Sequence, residues 1–144
     1  MADFLDSAQR SELMSKIRGK NTKVELLVYR YLRKEKIHFQ KHYRAKFGVR
    51  LDVALPSKKQ AVFVDGDFWH GRTLEKIIER LGKDDFWTMK LLRNIERDRQ
   101  QAELLEMNGW TFIRVWESDL TRKSTQEAEL VKIKSFLIGL EPNR

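Results

Sequence analysis

Between Thr22 and Lys36 the apolar residues Val24, Leu27, Val28, Tyr31 and Leu32 follow the i, i+3, i+4, i+7, i+8 spacing of a helix with one apolar stripe. Past Lys36 the period drops to two. Phe39 to Arg44 reads as a strand and Gly48 as a turn. Leu51, Val53 and Leu55 then alternate with Asp52 and Ala54, which puts Asp52 on the face opposite Leu51 and Val53. Pro56-Ser57-Lys58 supplies another turn. Ala61 to Val64 is a continuous apolar run, the mark of a central strand covered on both faces, and it ends in Asp65-Gly66-Asp67. Leu74 to Leu81 fits a short helix. Asp84 and Asp85 open a long helix to about Met107, stopped by Asn108-Gly109. Thr111 to Trp116 is β-branched and aromatic, hence a strand, and the remainder to about Leu140 reads as a final helix. Ahead of all these, residues 7–18 fit a short helix. The predicted architecture is α/β (α+β): a central mixed β-sheet flanked by helices.

With 144 residues, no repeat and no linker, the chain is expected to form one domain over 1–144, led by an N-terminal helical arm over 1–20. It has no cysteine, which rules out disulfides and thiolate metal sites and fits a reducing compartment. The start, Met-Ala-Asp-Phe-Leu-Asp, lacks the profile of a secretory signal, and no apolar run nears the ~20 residues that span a bilayer. A cytoplasmic protein with no membrane partner is expected. Lys and Arg outnumber Asp and Glu by 29 to 21, a formal +8. That balance favours polyanions, because each neutralised phosphate releases counterions; solubility alone is the simpler explanation.

Asp52 is the first candidate for chemistry. A lone carboxylate on a covered strand face is costly unless it is paired or bound to a metal; on an edge strand it would sit in water, and paired with an arginine it would need no metal. Thirteen residues separate it from Asp65, which suits a hairpin that sets Asp65 and Asp67 beside Asp52. Hard oxygens at few positions suit magnesium, and carboxylates at adjacent strand ends suit metal-assisted phosphodiester hydrolysis. Asp-Gly-Asp can equally be a plain turn. His70, five residues past Asp65, could deprotonate an attacking water near neutral pH, or be a solvated loop residue. His38 and His42 are taken as structural. Thr22-x-x-Glu25 is a capping-box pattern, so Glu25 closes a helix start, and it could also support a metal site. Phe68 and Trp69 in their loop, with Trp87 at a helix start, are either core anchors or side chains that wedge between bases.

Taken together, Phe63-Val64-Asp65-Gly66-Asp67-Phe68-Trp69-His70 resembles the signature of the very-short-patch-repair (mismatch) endonucleases, of the PD-(D/E)xK, restriction-endonuclease-like fold. The likeness extends through Met14-Ser15-Lys16-Ile17, Asn21 to Glu25, Leu51-Asp52-Val53, Phe86-Trp87, Arg93 to Arg99, Gly109-Trp110 and Val115-Trp116-Glu117. It implies a DNA endonuclease that nicks one strand next to a T:G mismatch of double-stranded DNA, with one or two Mg2+ ions. By position, Asp52 matches the metal-ligating aspartate and Val64 a backbone carbonyl on the same metal. His70 matches the general base, Glu25 the supporting acid, and Phe68, Trp69 and Trp87 the aromatics that enter the DNA stack. The N-terminal arm is expected to contact DNA. A nucleoid-associated monomer is expected, with other repair proteins as candidate partners.

Two features depart from the family pattern. Asp65 stands where well-known members have histidine, and could become a direct metal ligand. The structural zinc positions are here Asp67, Arg72, Leu74 and Ser118, which predicts no zinc and, in its place, an Asp67–Arg72 ion pair bracing the loop. A restriction-type or other structure-selective endonuclease with the same core, and a DNA-binding module that has lost catalysis, are the alternatives.

Overall fold

The structure, a computed structural model, describes residues 22–67 and 70–139. The expected helix over 7–18, the arm, Phe68 and Trp69 lie outside the described residues. Helix α1 (Lys23–Lys34) is followed by β1 (Gln40–Arg44), β2 (Arg50–Leu55), a 3-10 turn (Pro56–Lys58) and β3 (Gln60–Asp65). Then come α2 (Leu74–Leu81), α3 (Phe86–Met107), β4 (Thr111–Trp116), α4 (Glu117–Thr121) and α5 (Lys123–Ile138). The strands form one sheet in the order β1-β2-β3-β4. β1, β2 and β3 are antiparallel neighbours and β4 runs parallel to β3, as the mixed-sheet expectation had it. A parallel neighbour requires a crossover, and α2 and α3 provide it.

Both faces of the sheet are covered, which is why β2 and β3 are so apolar. On one face Val53, Val62 and Val115 pack with Val24, Val28, Tyr29 and Leu32 of α1, Leu120 of α4, and Ile133 and Leu137 of α5. On the other, Leu51, Ala54, Ala61 and Phe63 pack with Val49, Leu105 of α3 and Trp110. α3 starts where the side chain of Asp85 accepts the Trp87 N–H at 2.9 Å. It is followed by Asn108 and then Gly109 at φ +78°, a conformation open to glycine.

The last helix is two helices. At Arg122 the backbone is extended, and side chains of α5 reach back to α4: Thr125 Oγ1 donates to the Asp119 carbonyl at 2.7 Å and Gln126 Nε2 to that of Leu120 at 2.9 Å. Those bonds satisfy carbonyls that the end of α4 would otherwise leave open. Among the described residues no helix is long and apolar enough to cross a membrane.

Candidate active site

The site begins with a break in the sheet. β2 pairs with β3 at Leu55–Gln60, Ala54–Ala61 and Val53–Val62. Next along β2, the Asp52 carboxylate substitutes for the ladder: its Oδ2 accepts the Val64 N–H at 2.9 Å. On the other side, β1 pairs with β2 at Lys41–Val53 and Tyr43–Leu51, and the intervening His42–Asp52 pair is missing. His42 has φ +50°, a left-handed conformation within a strand. Across this point the faces slip by one: Leu51 packs beside Ala54, and Val53 on the opposite side with Val62 and Leu55. Simple alternation therefore fails at Asp52. Its side chain sits at the break, not on a face opposite both Leu51 and Val53.

Asp52 opens onto a cavity of about 290 Å³ whose lining includes Glu25, Val64, Asp65 and His70. Three chain-distant segments thus bring these five candidates together: α1, β2, and β3 with the turn that follows it. Glu25 is 4% exposed and does close its helix: its Oε1 accepts the Thr22 N–H at 3.1 Å, while the Glu25 N–H donates to Thr22 Oγ1 at 3.2 Å. The cap aims the same carboxylate at Asp52. Burial raises Asp52 from 3.8 to about 7; the Val64 N–H opposes the shift, and the charges of Glu25 and Asp65 add to it.

His70 is held by Asp98 of α3, with Nδ1 and Oδ2 2.5 Å apart, and its Nε2 lies 3.7 Å from Asp65 Oδ1. Donation from Nδ1–H to Asp98 leaves Nε2 as the basic nitrogen of the neutral ring. Burial alone would lower the His70 pKa; the hydrogen bond to Asp98 and the nearby carboxylates outweigh it, and the net shift is upward. Gly71 follows at φ +78°, and a Cβ there would come within 2.4 Å of Ile95 Cδ1. This close approach seats the His70 turn on α3.

Asp65 is 3% exposed, and both its oxygens accept from Nη1 of Arg114, at 3.1 and 3.0 Å. Burial pushes its pKa up and Arg114 pulls against that. Asp67 turns away from Asp52. It accepts from the Ser118 N–H at 3.0 Å and the Ser118 hydroxyl at 2.5 Å, because the start of α4 offers it unsatisfied donors. The expected Asp67–Arg72 pair is present at 3.6 Å, and Arg72 also reaches Asp119 at 3.0 Å and Ser118 Oγ at 2.9 Å. Trp87 lies apart, in the first turn of α3, its ring 5.0 Å from that of the exposed Phe86.

Three members of the site escaped sequence reasoning. Asp98 sits in a charged helical run, where a carboxylate is unremarkable. Arg114 comes from β4, 49 positions after the acid it serves. His42 was taken as structural, but it has a chemical neighbourhood: among the described residues, Glu25, His42 and Asp52 each present a ligand atom within 4.8 Å of the others. A half-buried aspartate whose charge is poorly compensated, beside a buried carboxylate and an imidazole, is a donor set that fits a divalent cation.

The model of the family described as DNA mismatch endonuclease Vsr matches residues 2–76. Along 131 residues the chain is 35% identical to the type II nicking enzyme V.NmeDIP of Neisseria meningitidis serogroup C, covering 90% of this chain and 88% of the relative. The chain belongs to the Vsr DNA mismatch endonuclease family. It is 34% identical over 122 residues to the type II nicking enzyme V.HpaIIP of Haemophilus parainfluenzae, 83% of this chain and 86% of that one. It is 29% identical over 141 residues to the DNA mismatch endonuclease Vsr of Escherichia coli, covering 96% and 90%. As a Vsr-family member the chain is a phosphodiester-cleaving DNA endonuclease.

Proposed function

We propose that this endonuclease nicks one strand of double-stranded DNA beside a T:G mismatch, using Mg2+ held by Asp52 and the backbone carbonyl of Val64. The observation that carries the proposal is the half-buried Asp52 carboxylate at the β2–β3 break, in one cavity with a His70–Asp98 pair. Bound there, the cation supplies Lewis-acid polarisation of the phosphoryl oxygen and offsets charge on the leaving 3′ oxygen.

The remaining work falls to the protein. Asp98 fixes the His70 ring, and Nε2 accepts the proton of the attacking water. Arg114, fixed by Asp65, and Arg50 place positive charge at the cavity wall, where a backbone phosphate would lie. Asp65 thus acts by orienting a cation, in place of ligating the metal. Glu25, locked by its cap, supports the metal side of the site. Phe68, Trp69 and Trp87 are assigned to the DNA stack at the mismatch, and the Asp67–Ser118–Arg72–Asp119 cluster ties Asp67 and Arg72 to the start of α4. The N-terminal arm adds phosphate contacts, and the enzyme acts as a monomer.

The test is a nicking assay on paired duplexes that differ only in a T:G or a matched base pair, with Mg2+ or with chelator. Nicking confined to the mismatched duplex with Mg2+ is expected. Equal nicking of both duplexes would leave a restriction-type or structure-selective endonuclease, and no nicking of either would indicate a binding module.

A further inference from the structure

His42 has no part in the mechanism above, yet the fold holds its ring from two sides. The Tyr29 hydroxyl lies 3.2 Å from Nε2, and Nη2 of Arg50 lies 3.1 Å from Nδ1. A guanidinium has only protons to give, so Nδ1 is the acceptor and the ring proton sits on Nε2, donated to the Tyr29 oxygen. Tyr29 is fully buried, so its hydroxyl is held in place by the packing of its ring. A histidine whose outer nitrogen donates to a fixed partner, leaving the other lone pair oriented, is arranged as metal-binding histidines are. That ring stands across from Asp52 at the missing ladder pair, with its ligand atom within 4.8 Å of those of Asp52 and Glu25.

We propose that His42 is a direct ligand of the cation held at Asp52, completing a three-cornered site with Glu25, and that Arg50 covers the ring nitrogen until the cation displaces it. The proposal rests on the assignment of a cation to Asp52 made above. Arg50 is exposed, so its departure disturbs no core packing. An imidazole corner also sets a preference: the site takes transition cations more readily than an all-oxygen site would.

The experiment uses Mn2+ as the probe on the whole protein bound to a pre-nicked duplex, so that phosphate is present and nothing turns over. Affinity is measured by calorimetry, and imidazole ligation by the 14N modulation of the Mn2+ electron spin echo. Wild type should show the modulation. His42→Asn, chosen because asparagine tolerates a left-handed backbone, should lose it and bind Mn2+ roughly 10–100-fold more weakly, the scale of losses at metal-supporting residues. His70→Ala should retain the modulation, assigning it to His42. Tyr29→Phe keeps the core ring and removes only the hydroxyl; a loss of about 10-fold is expected there, and it serves if His42→Asn does not fold.

Unchanged modulation and affinity in His42→Asn, or unchanged affinity in Tyr29→Phe, would overturn the proposal. If Asp52→Asn abolishes Mn2+ binding while His42→Asn leaves it intact, only the role of His42 falls. If wild type binds no Mn2+, or Asp52→Asn binds it normally, the assignment of the cation to Asp52 falls as well.

Discussion

Replacing Asp52 by Asn should make the metal-free protein more stable while abolishing nicking. Asn has the same shape, and its side-chain oxygen can still accept the Val64 N–H, so the substitution removes little besides charge. In the fold the carboxyl is raised from 3.8 to about 7, a shift of about three pH units caused first by burial. At ~1.4 kcal/mol per unit, the folded state bears up to ~4 kcal/mol for ionising this group. The unfolded chain loses the proton near 3.8 and the folded chain near 7, so wild type loses stability relative to Asp52→Asn as pH rises between those values. Above about 7 the gap is constant.

In chelator at pH 8, Asp52→Asn should therefore melt above wild type, by up to ~12 °C at about 3 °C per kcal/mol for a chain of this size. At pH 4 the two should nearly coincide. Added Mg2+ should raise the melting temperature of wild type alone, because only it gains binding energy from the ion. A gap that does not grow with pH, or an Asn variant less stable than wild type at pH 8, would refute the reasoning. The charge would then be well accommodated without metal.

His70→Ala should slow the chemical step by ~10²–10⁴, as loss of a general base does, and unchanged single-turnover nicking would remove it from the mechanism. Because Asp98 raises the His70 pKa, the acid limb of the nicking–pH profile in saturating Mg2+ should lie above the ordinary value near 6.5 and move down in Asp98→Asn. A limb that stays put would dissociate Asp98 from His70. Arg114→Gln should cost about 3–5 kcal/mol in urea unfolding, by leaving buried Asp65 unpaired, and Asp65→Asn in the same chain should recover most of that loss; no recovery would contradict the pairing. Gly71→Ala meets both a positive φ and Ile95, so it should destabilise by more than ~1 kcal/mol and displace His70, seen as reduced nicking at normal DNA affinity. Normal turnover would show that the turn does not position His70.

Much of the fold was legible because most elements carry their own local signals. The stripe from Val24 to Leu32 gave α1, the Ala61–Val64 run gave a doubly covered β3, and Asp85 with Asn108-Gly109 bracketed α3. The break between α4 and α5 was hidden, since Thr125 and Gln126 make it by bonding backwards to carbonyls, and helical sequences use such residues freely. In the site, the hairpin length anticipated Asp65 beside Asp52, but it set Asp67 there too, and Asp67 is bonded to Ser118 instead. Which acid would stay available could not be anticipated, because Arg114 and Ser118, which take Asp65 and Asp67, arrive from the far side of the crossover. The slip at Asp52 is the deepest omission. A period-two pattern places a side chain on one face or the other and has no symbol for a carboxylate that substitutes for a ladder bond. His42 became visible only once that slip was seen.

The central claim is that a divalent cation is held by Asp52 at the broken edge between β2 and β3. Anomalous scattering from a crystal of the protein soaked in Mn2+ locates such an ion without reference to activity. A peak about 2.0–2.2 Å from an Asp52 carboxylate oxygen is the predicted result. A peak on Asp65 or Asp67 with none at Asp52 would contradict the account.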